Sequence, residues 1–219
     1  MKRVALLSLL AAAPVSGQDL YLSLEASLPE RPELIADGAP RRLVLLEDGT
    51  LYVGGTQRIA AGRLEKGELK EIDKRLEKVR KATPGLGGNL SLGTGAQRFR
   101  LVVSKGKPID VVVTGDPAAA PFNLRPIASL VADLAAYQHP TLRPYRPAFY
   151  ALRAREASLP GGCREWTFPI TPDKALQAPQ PLAAAETQGW PTGAQAASAC
   201  ASDKRYAVTL RPLLPFEKP

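Results

Sequence analysis

The pattern of apolar and polar positions predicts two hairpins in the first half of the chain. In the first hairpin, the apolar runs 43–46 and 51–53 flank the turn sequence Glu-Asp-Gly-Thr, in which glycine can adopt a positive φ. In the second, 99–103 and 109–114 flank Ser-Lys-Gly-Lys. A further short strand is expected at 59–64. Turns of this kind indicate antiparallel pairing.

A segment with helical periodicity follows each hairpin. Over 66–81, apolar residues recur at helical spacing and leave a charged opposite face. Over 123–137 the apolar face is wider, Asn123 is the expected N-cap, and Pro126 falls in the first turn, where proline is tolerated. The stripe of the first helix consists of Leu69, Ile72, Leu76 and Val79.

These elements predict an α+β fold: an antiparallel sheet made from the two hairpins, with both helices on one face. The other face of the sheet must either be covered by other parts of the chain or be exposed to water. Part of this face is expected to be exposed to water. Polar side chains occupy alternate positions in or directly beside the predicted strand 99–103, namely Arg98, Arg100 and Ser104. We assign this core domain to residues 42–138.

The segments around this core are less regular. Residues 18–41 form a lead-in, in which Leu20 to Leu24 is expected as an edge strand or a loose arm. The Gly-rich stretch 85–95 lacks the Gly-Lys-Ser/Thr ending of a phosphate loop and is expected only to connect a helix to a strand. Residues 139–219 form a proline-rich, irregular C-terminal lobe, with strands expected at 149–155, 165–170 and 206–211.

The first seventeen residues have the pattern of a signal peptide. Lys2 and Arg3 precede an uncharged apolar run, and Val15 and Gly17 supply the small residues before a cleavage site. The apolar run is shorter than the roughly 20 residues that a membrane helix needs, and no later segment is long and apolar enough. The alternative is a buried N-terminal helix, but the acidic stretch that follows contains no apolar pattern against which such a helix would pack. We expect cleavage after Gly17 and a protein exported to the periplasm or the extracellular space.

The two cysteines, Cys163 and Cys200, lie in the C-terminal lobe. In an oxidising compartment two thiols without competitors pair, and the alternatives are a reactive free thiol or unpaired surface cysteines. The closed loop would contribute roughly 4 kcal/mol by the chain-entropy relation. Trp166 and Trp190 fall within it, which predicts a small core stapled by the disulfide.

Composition excludes several classes of function. The net charge of +8 permits weak attraction to anionic polymers, and export makes nucleic acid an unsuitable partner. With His139 as the single histidine and two cysteines, the common zinc sets are excluded, and no cofactor motif is present. The nucleophile elbow of serine hydrolases is absent. A carboxylate pair, such as Asp110 with Asp116 or Glu165, leaves a glycosidase-like hydrolase open.

Arginine and aromatic residues alternate irregularly between 137 and 155. Arginine beside aromatic rings binds glycans, anionic polymers or partner chains by stacking and bidentate hydrogen bonds. The alternative is structural, with rings joining two lobes and arginine stems covering apolar surface. The candidate binding residues are Tyr137, Arg143, Tyr145, Arg146, Tyr150 and Arg153.

Together these features predict an exported, non-catalytic envelope protein that binds a partner protein or an anionic envelope polymer. The Ala, Leu, Arg and Pro content is typical of a bacterium with a GC-rich genome. The alternatives are a secreted carboxylate-dependent hydrolase and a purely structural assembly component. The last of these would expose a sizeable apolar patch on the sheet face.

Overall fold

The first of two sheets in the computed structural model contains eight strands. The structure describes residues 19–26, 41–54, 59–93, 95, 97–157, 159 and 161–217. The strands are β1 (Leu20–Ala26), β2 (Arg41–Leu46), β3 (Thr50–Gly54), β4 (Ile59–Arg63), β5 (Gly88–Leu92), β6 (Arg98–Val103), β7 (Ile109–Gly115) and β8 (Arg143–Pro144). Their order across the sheet is β5-β7-β6-β1-β2-β3-β4-β8. The part of the chain that forms this sheet and its helices is called the N-terminal lobe.

The structure confirms both predicted hairpins and the short strand after the first. Strands β2 and β3 pair antiparallel around Gly49, whose φ is +89°. Strands β6 and β7 pair around Gly106, with a φ of +72°. In both turns glycine adopts a backbone conformation that other residues rarely take. Strand β4 extends the first hairpin into a three-stranded meander.

Strand β1 joins the two hairpins into one sheet. It pairs antiparallel with β2 on one side and with β6 on the other. The prediction of an edge strand or a loose arm is therefore wrong. Leu22 and Leu24 are fully buried, and Tyr21 and Ser23, which alternate with them along the strand, are buried as well. A strand buried on both faces needs a neighbour along each edge, so this short apolar run is a central strand.

Two amphipathic helices, α1 (Lys66–Ala82) and α2 (Arg125–Ala135), pack on the same face of the sheet and share its main core. Both helices are confirmed, but α2 begins later than predicted. Its N-cap is Leu124, without a side-chain hydrogen bond, because residues 122–124 form a separate 3₁₀ turn. The predicted N-cap at Asn123 is therefore wrong. Arg75 of α1 pairs with Asp133 of α2.

The face of this sheet opposite the helices is partly exposed to water and partly covered by other residues of the chain. Arg98 and Arg100 are exposed, and Arg100 pairs with Asp110 of β7 at 2.7 Å. Over β2 and β3 the face carries a small apolar cluster instead. It contains Val44, Leu46, Tyr52 and Leu214, with Tyr145 and Phe216 packed against it. Residues after the last strand of the chain thus cover part of the first sheet.

The Gly-rich stretch contains a strand that the sequence did not predict. Residues Gly88–Leu92 form β5, which adds in parallel to the edge of β7. Leu92 is fully buried in the main core, and this burial offsets the low strand propensity of Gly88 and Asn89. The prediction of a simple connection is wrong for these five residues.

The C-terminal lobe contains a five-stranded sheet and a short helix. Its strands are β9 (Phe149–Glu156), β10 (Arg164–Glu165), β11 (Gln180–Ala183), β12 (Gly193–Ala201) and β13 (Lys204–Pro212), in the order β10-β12-β13-β9-β11. Helix α3 (Pro172–Gln177) packs on one face, here called the inner face. The opposite face is called the outer face.

The inner face carries an aromatic core. Phe168 contacts Trp166 and Trp190, with ring centroids 5.1 and 4.6 Å apart, and Trp166 also contacts Tyr206. The strand predicted at 165–170 is therefore wrong beyond Glu165. Trp166 donates its indole N–H to the Ile170 carbonyl at 2.8 Å, which curls this segment over the core.

The predicted disulfide is confirmed between Cys163 and Cys200, with Cα atoms 5.6 Å apart. It ties the residue before β10 to β12, and these two strands pair in parallel. No helix in the described part of the chain combines the length and the apolar character needed to cross a membrane.

Candidate functional site

The arginine and aromatic segment predicted as a binding surface crosses from one sheet to the other. After α2, residues 143–144 form β8 and pair with β4 at the edge of the first sheet. The Tyr145 amide then donates to the Ile59 carbonyl at 2.8 Å. A few residues later the chain enters β9, an interior strand of the second sheet between β13 and β11. The segment therefore lies at the junction of the two lobes.

Tyr145 anchors this junction. Its ring lies edge-on to Tyr52, with centroids 5.3 Å apart, and its hydroxyl donates to the Leu213 carbonyl at 3.2 Å. Burial raises the pKa of Tyr145 to about 12, because the ionised form would lose its hydration. The phenol is thus a neutral donor that joins the junction to the chain after β13.

Beside Tyr145 lies a groove of about 310 Å³, which we call the junction groove. Three segments form its walls: the stretch between β8 and β9, strand β11, and the tail after β13. Phe149 is 52% exposed there, although large apolar side chains are normally buried. The groove is lined by Tyr145, Arg146, Ala148, Phe149, Pro181, Leu213, Leu214, Pro215 and Glu217.

Besides Tyr145, two side chains of opposite charge line the groove, and they differ in their contacts. The Glu217 carboxylate accepts from Arg211 Nη1 at 2.9 Å and from the Leu214 amide at 3.1 Å. Its side chain is only 8% exposed. Arg146 is exposed, and no hydrogen bond or ion pair within the described residues uses its guanidinium. The groove therefore offers one cation beside an apolar wall.

The structure brings only part of the predicted site together. Tyr145 and Arg146 share the junction groove, whereas Tyr137 packs against the main core and stacks on His139. Arg143 is exposed and donates its Nη1 to the carbonyls of Pro140 and Leu142, both at 2.9 Å.

The two candidate residues on β9 point to opposite faces of the second sheet. Tyr150 packs against the aromatic core of the inner face, and Arg153 alternates with the buried Leu152 and Ala154 on the outer face. Neither residue lines the junction groove. The assignment of these six residues to one binding surface stays a prediction.

The groove also contains residues that the sequence did not single out: Phe149 as an exposed wall, Pro181, and the tail 213–217. Phe149 lies within the arginine and aromatic segment but is not among its candidate binding residues. The tail follows the strict alternation of β13 with Leu-Leu-Pro-Phe. The end of the alternation indicates that these apolar residues do not belong to a strand, but it does not indicate which surface they cover.

The carboxylates considered for hydrolysis have structural contacts. Asp110 receives two hydrogen bonds from Arg100, at 3.0 and 2.7 Å, and these lower the pKa of its carboxyl group. Asp116 caps a 3₁₀ turn by accepting from the Ala118 amide at 2.9 Å. Glu165 lies exposed on β10, in the other sheet. None of the three lines the junction groove.

His139 lies in a polar contact outside the groove. Its Nε2 is 2.7 Å from Glu68 Oε1, and its Nδ1 is 2.7 Å from Thr141 Oγ1. The order Thr-His-Glu resembles a catalytic triad in composition, but the Thr141 hydroxyl also donates to the carbonyl and accepts from the amide of Arg63, both at 3.2 Å. These bonds hold the hydroxyl against β4. The cluster therefore ties α1, β4 and the chain after α2 together.

Comparison of the chain with protein-family models, with curated protein sequences and with solved structures finds no match.

Proposed function

We propose that this chain is an exported, non-catalytic envelope protein that binds a partner protein or an anionic envelope polymer at the junction groove. The observation that carries the proposal is the Arg146 guanidinium, which lies exposed beside an apolar wall and is used by no hydrogen bond or ion pair within the described residues. A cation next to exposed apolar and aromatic surface favours an occupant with an anionic group beside an apolar part.

Export is supported by two features. The first seventeen residues have the charge and apolar pattern of a cleaved leader. The disulfide between Cys163 and Cys200 is the form that cysteine pairs take in oxidising compartments. Both features fit a periplasmic or extracellular protein.

A binding role fits the polar groups of the groove better than catalysis does. General acid–base chemistry needs a carboxyl group that can reach a reacting proton. The one carboxylate of the groove, Glu217, already accepts from Arg211 and from the Leu214 amide. Its contacts favour a role in holding the tail in place.

The first experiment is co-sedimentation of the protein with purified cell wall and with envelope membranes, at low and high salt. Replacing Arg143 and Arg146 together with Ala is expected to weaken pelleting by roughly tenfold or more, the loss of a charged hydrogen bond at an interface. Arg146→Ala alone should account for most of the loss, because Arg143 Nη1 is already bound to two carbonyls.

The matched control is Arg125→Ala. Arg125 is an exposed arginine of the N-terminal lobe whose guanidinium lies 5.6 Å from the Phe122 ring. This variant removes the same charge at a site away from the groove and should pellet like the original protein. Equal pelleting by the Arg146 and Arg125 variants would remove the groove assignment. Absence of pelleting by the original protein at either salt would exclude an insoluble polymer and leave a soluble partner protein.

A further inference from the structure

The junction groove has a buried apolar base and an exposed apolar rim. Leu213 and Leu214 line it and are only 5% and 4% exposed, whereas Phe149, Pro181 and Pro215 line it and are exposed. An apolar group placed against these side chains is removed from water, and such burial favours binding. The groove therefore suits an occupant that presents apolar groups.

One wall of the groove, strand β11, is an edge strand of the second sheet. The Ala184 amide donates to the Ala148 carbonyl at 2.9 Å, directly beyond the last pair of β11 with β9. Hydrogen-bonded and non-bonded pairs alternate along antiparallel strands. The backbone groups of Leu182 are therefore bonded to β9, whereas those of Pro181 and Ala183 point to the free edge.

This free edge of β11 offers no amide to a further strand. Pro181 has no N–H to donate, and the Ala183 amide already donates to the Glu186 carboxylate at 2.9 Å. Proline at an edge is one of the devices that keep an edge strand from pairing with another chain. A chain bound in the groove must therefore be held by its side chains, because it cannot extend the sheet at β11.

The charged groups of the groove suit an occupant with a single negative charge. Arg146 is exposed, and its guanidinium takes part in no hydrogen bond or ion pair with the described residues. The other charged residue of the lining, Glu217, pairs with Arg211 at 2.9 Å. A polymer with an anion in every unit would bring several negative charges to a lining with one available cation, and unpaired charges oppose binding. One acidic group beside apolar groups matches this lining better.

We propose that the junction groove binds a proline-rich segment of a partner protein, with one acidic residue that pairs with Arg146. A proline-rich chain adopts the polyproline II helix, whose backbone stays in water without internal hydrogen bonds, so it does not need the amides that β11 lacks. Such helices dock in grooves lined by aromatic side chains, and Tyr145 and Phe149 supply these. The helix repeats every three residues, so a proline and an acidic residue three positions apart reach the apolar rim and Arg146 together.

This inference rests on the proposed function, because it names the occupant of the same groove. The probe is a fluorescent peptide of about ten prolines around one central glutamate, a composition that adopts the polyproline II helix. Its binding to the full chain is measured by fluorescence anisotropy. A second peptide has glutamine in place of the glutamate. A third has glycine and serine in place of the prolines, which makes it a flexible chain of the same charge.

The protein variants are Arg146→Gln and Phe149→Ala, and each has a matched control in the N-terminal lobe. Arg125→Gln removes another exposed arginine, and Phe122→Ala removes another exposed phenylalanine ring, which is 83% exposed. Near-ultraviolet circular dichroism checks that each variant remains folded. Because Arg146 is exposed, Arg146→Gln carries the test if Phe149→Ala does not fold.

Arg146→Gln is expected to weaken binding of the proline peptide by roughly tenfold, and Phe149→Ala by about fivefold or more. Both controls should bind like the original protein. The glutamine peptide should lose the same factor with the original protein and no further factor with Arg146→Gln, because each change removes the same ion pair. The glycine and serine peptide should bind at least about tenfold more weakly, because it must be ordered on binding and has no rings to dock.

Other outcomes overturn the inference in distinguishable ways. Equal binding of the proline peptide by the groove variants and their controls removes the groove as the peptide site. Equal binding of the glycine and serine peptide removes the requirement for proline. Absence of peptide binding up to about 1 mM, together with loss of cell-wall pelleting in Arg146→Ala, contradicts this inference but supports the proposed function with an anionic polymer. If changes at Arg146 affect neither peptide binding nor pelleting, the inference and the proposed site both fail.

Discussion

The contact between His139 and Glu68 joins three segments of the N-terminal lobe through single side chains. Glu68 accepts from the Glu65 amide at 2.7 Å, which caps α1, and its other oxygen contacts His139. The ring of His139 stacks on Tyr137 at the end of α2. Both hydrogen bonds favour the ionised carboxylate and lower the pKa of Glu68. One carboxylate thus serves as a helix cap and as a link between elements.

The lowered pKa of Glu68 predicts a pH dependence of stability. A carboxyl group whose pKa is lower in the folded state contributes stability above its ordinary value of 4.5, and this is lost as the pH falls through the folded value. Glu68→Gln removes the titrating group. The free energy of unfolding of this variant, measured in urea, should therefore fall less between pH 6 and about pH 3 than that of the original protein.

Glu71→Gln is the control for this prediction, because Glu71 is exposed on the same helix and, among the described residues, its carboxylate pairs with Lys74 alone. It should keep the pH dependence of the original protein. If Glu68→Gln lost stability on acidification as steeply as Glu71→Gln, the capping contact would not be a source of acid sensitivity.

At the scale of elements, β1 determines whether the two hairpins form one sheet. It lies between β2 and β6, and Leu22 is fully buried. Leu22→Ala should lower the free energy of unfolding by about 2–5 kcal/mol, because it removes buried methyl groups and leaves a cavity. Leu90→Ala, on the edge strand β5, should cost less, since Leu90 is only partly buried. Urea unfolding followed by circular dichroism compares them; equal losses would contradict a central role for β1.

Periodicity predicted the elements whose pattern is local. The hairpins around Gly49 and Gly106 and the helix at 66–82 have their turn residues and apolar spacing within one window of sequence. The strands it missed depend on distant partners. β5 begins with Gly88 and Asn89, and β12 is alanine-rich, so both have low strand propensity and form by pairing with β7 and β13. In such strands the neighbouring strand, more than propensity, determines the structure.

The candidate site shows the same limit. The sequence predicted the arginine and aromatic segment, since its residues are adjacent along the chain. It did not predict the second wall of the groove, because residues 213–217 are distant in sequence and reach Tyr145 only through the fold. Nor did it separate Tyr150 from Arg153, which the alternation of β9 sends to opposite faces.

At the scale of the whole molecule, the tail after β13 connects the two lobes. Leu213 donates its amide to Phe149 on β9 and accepts from Tyr145 through its carbonyl. Leu214 is buried against Val44 and its neighbours on the first sheet. The same few residues therefore form a wall of the groove and cover the first sheet, so groove and sheet cover depend on each other.

This arrangement predicts that a change in the tail is felt in the N-terminal lobe. Leu214→Ala should speed hydrogen exchange of the β2 and β3 amides, because it uncovers the apolar cluster on that face. It should also lower the free energy of unfolding by about 2–5 kcal/mol. Pro215→Ala, at an exposed position beside it, is the control. Exchange that changed only in β9 and β13 would show that the tail does not stabilise the first sheet.

The tail also sets the order in which the molecule can be completed during synthesis. Residues 41–54 leave the ribosome long before residues 213–217, so a nascent chain that has emerged only as far as β13 carries this apolar cluster without the cover that Leu214 and Phe216 supply. Such a chain presents an apolar stripe to chaperones until the tail emerges. Emergence of the tail is therefore the step that closes the first sheet and ends the period in which a chaperone can hold the chain.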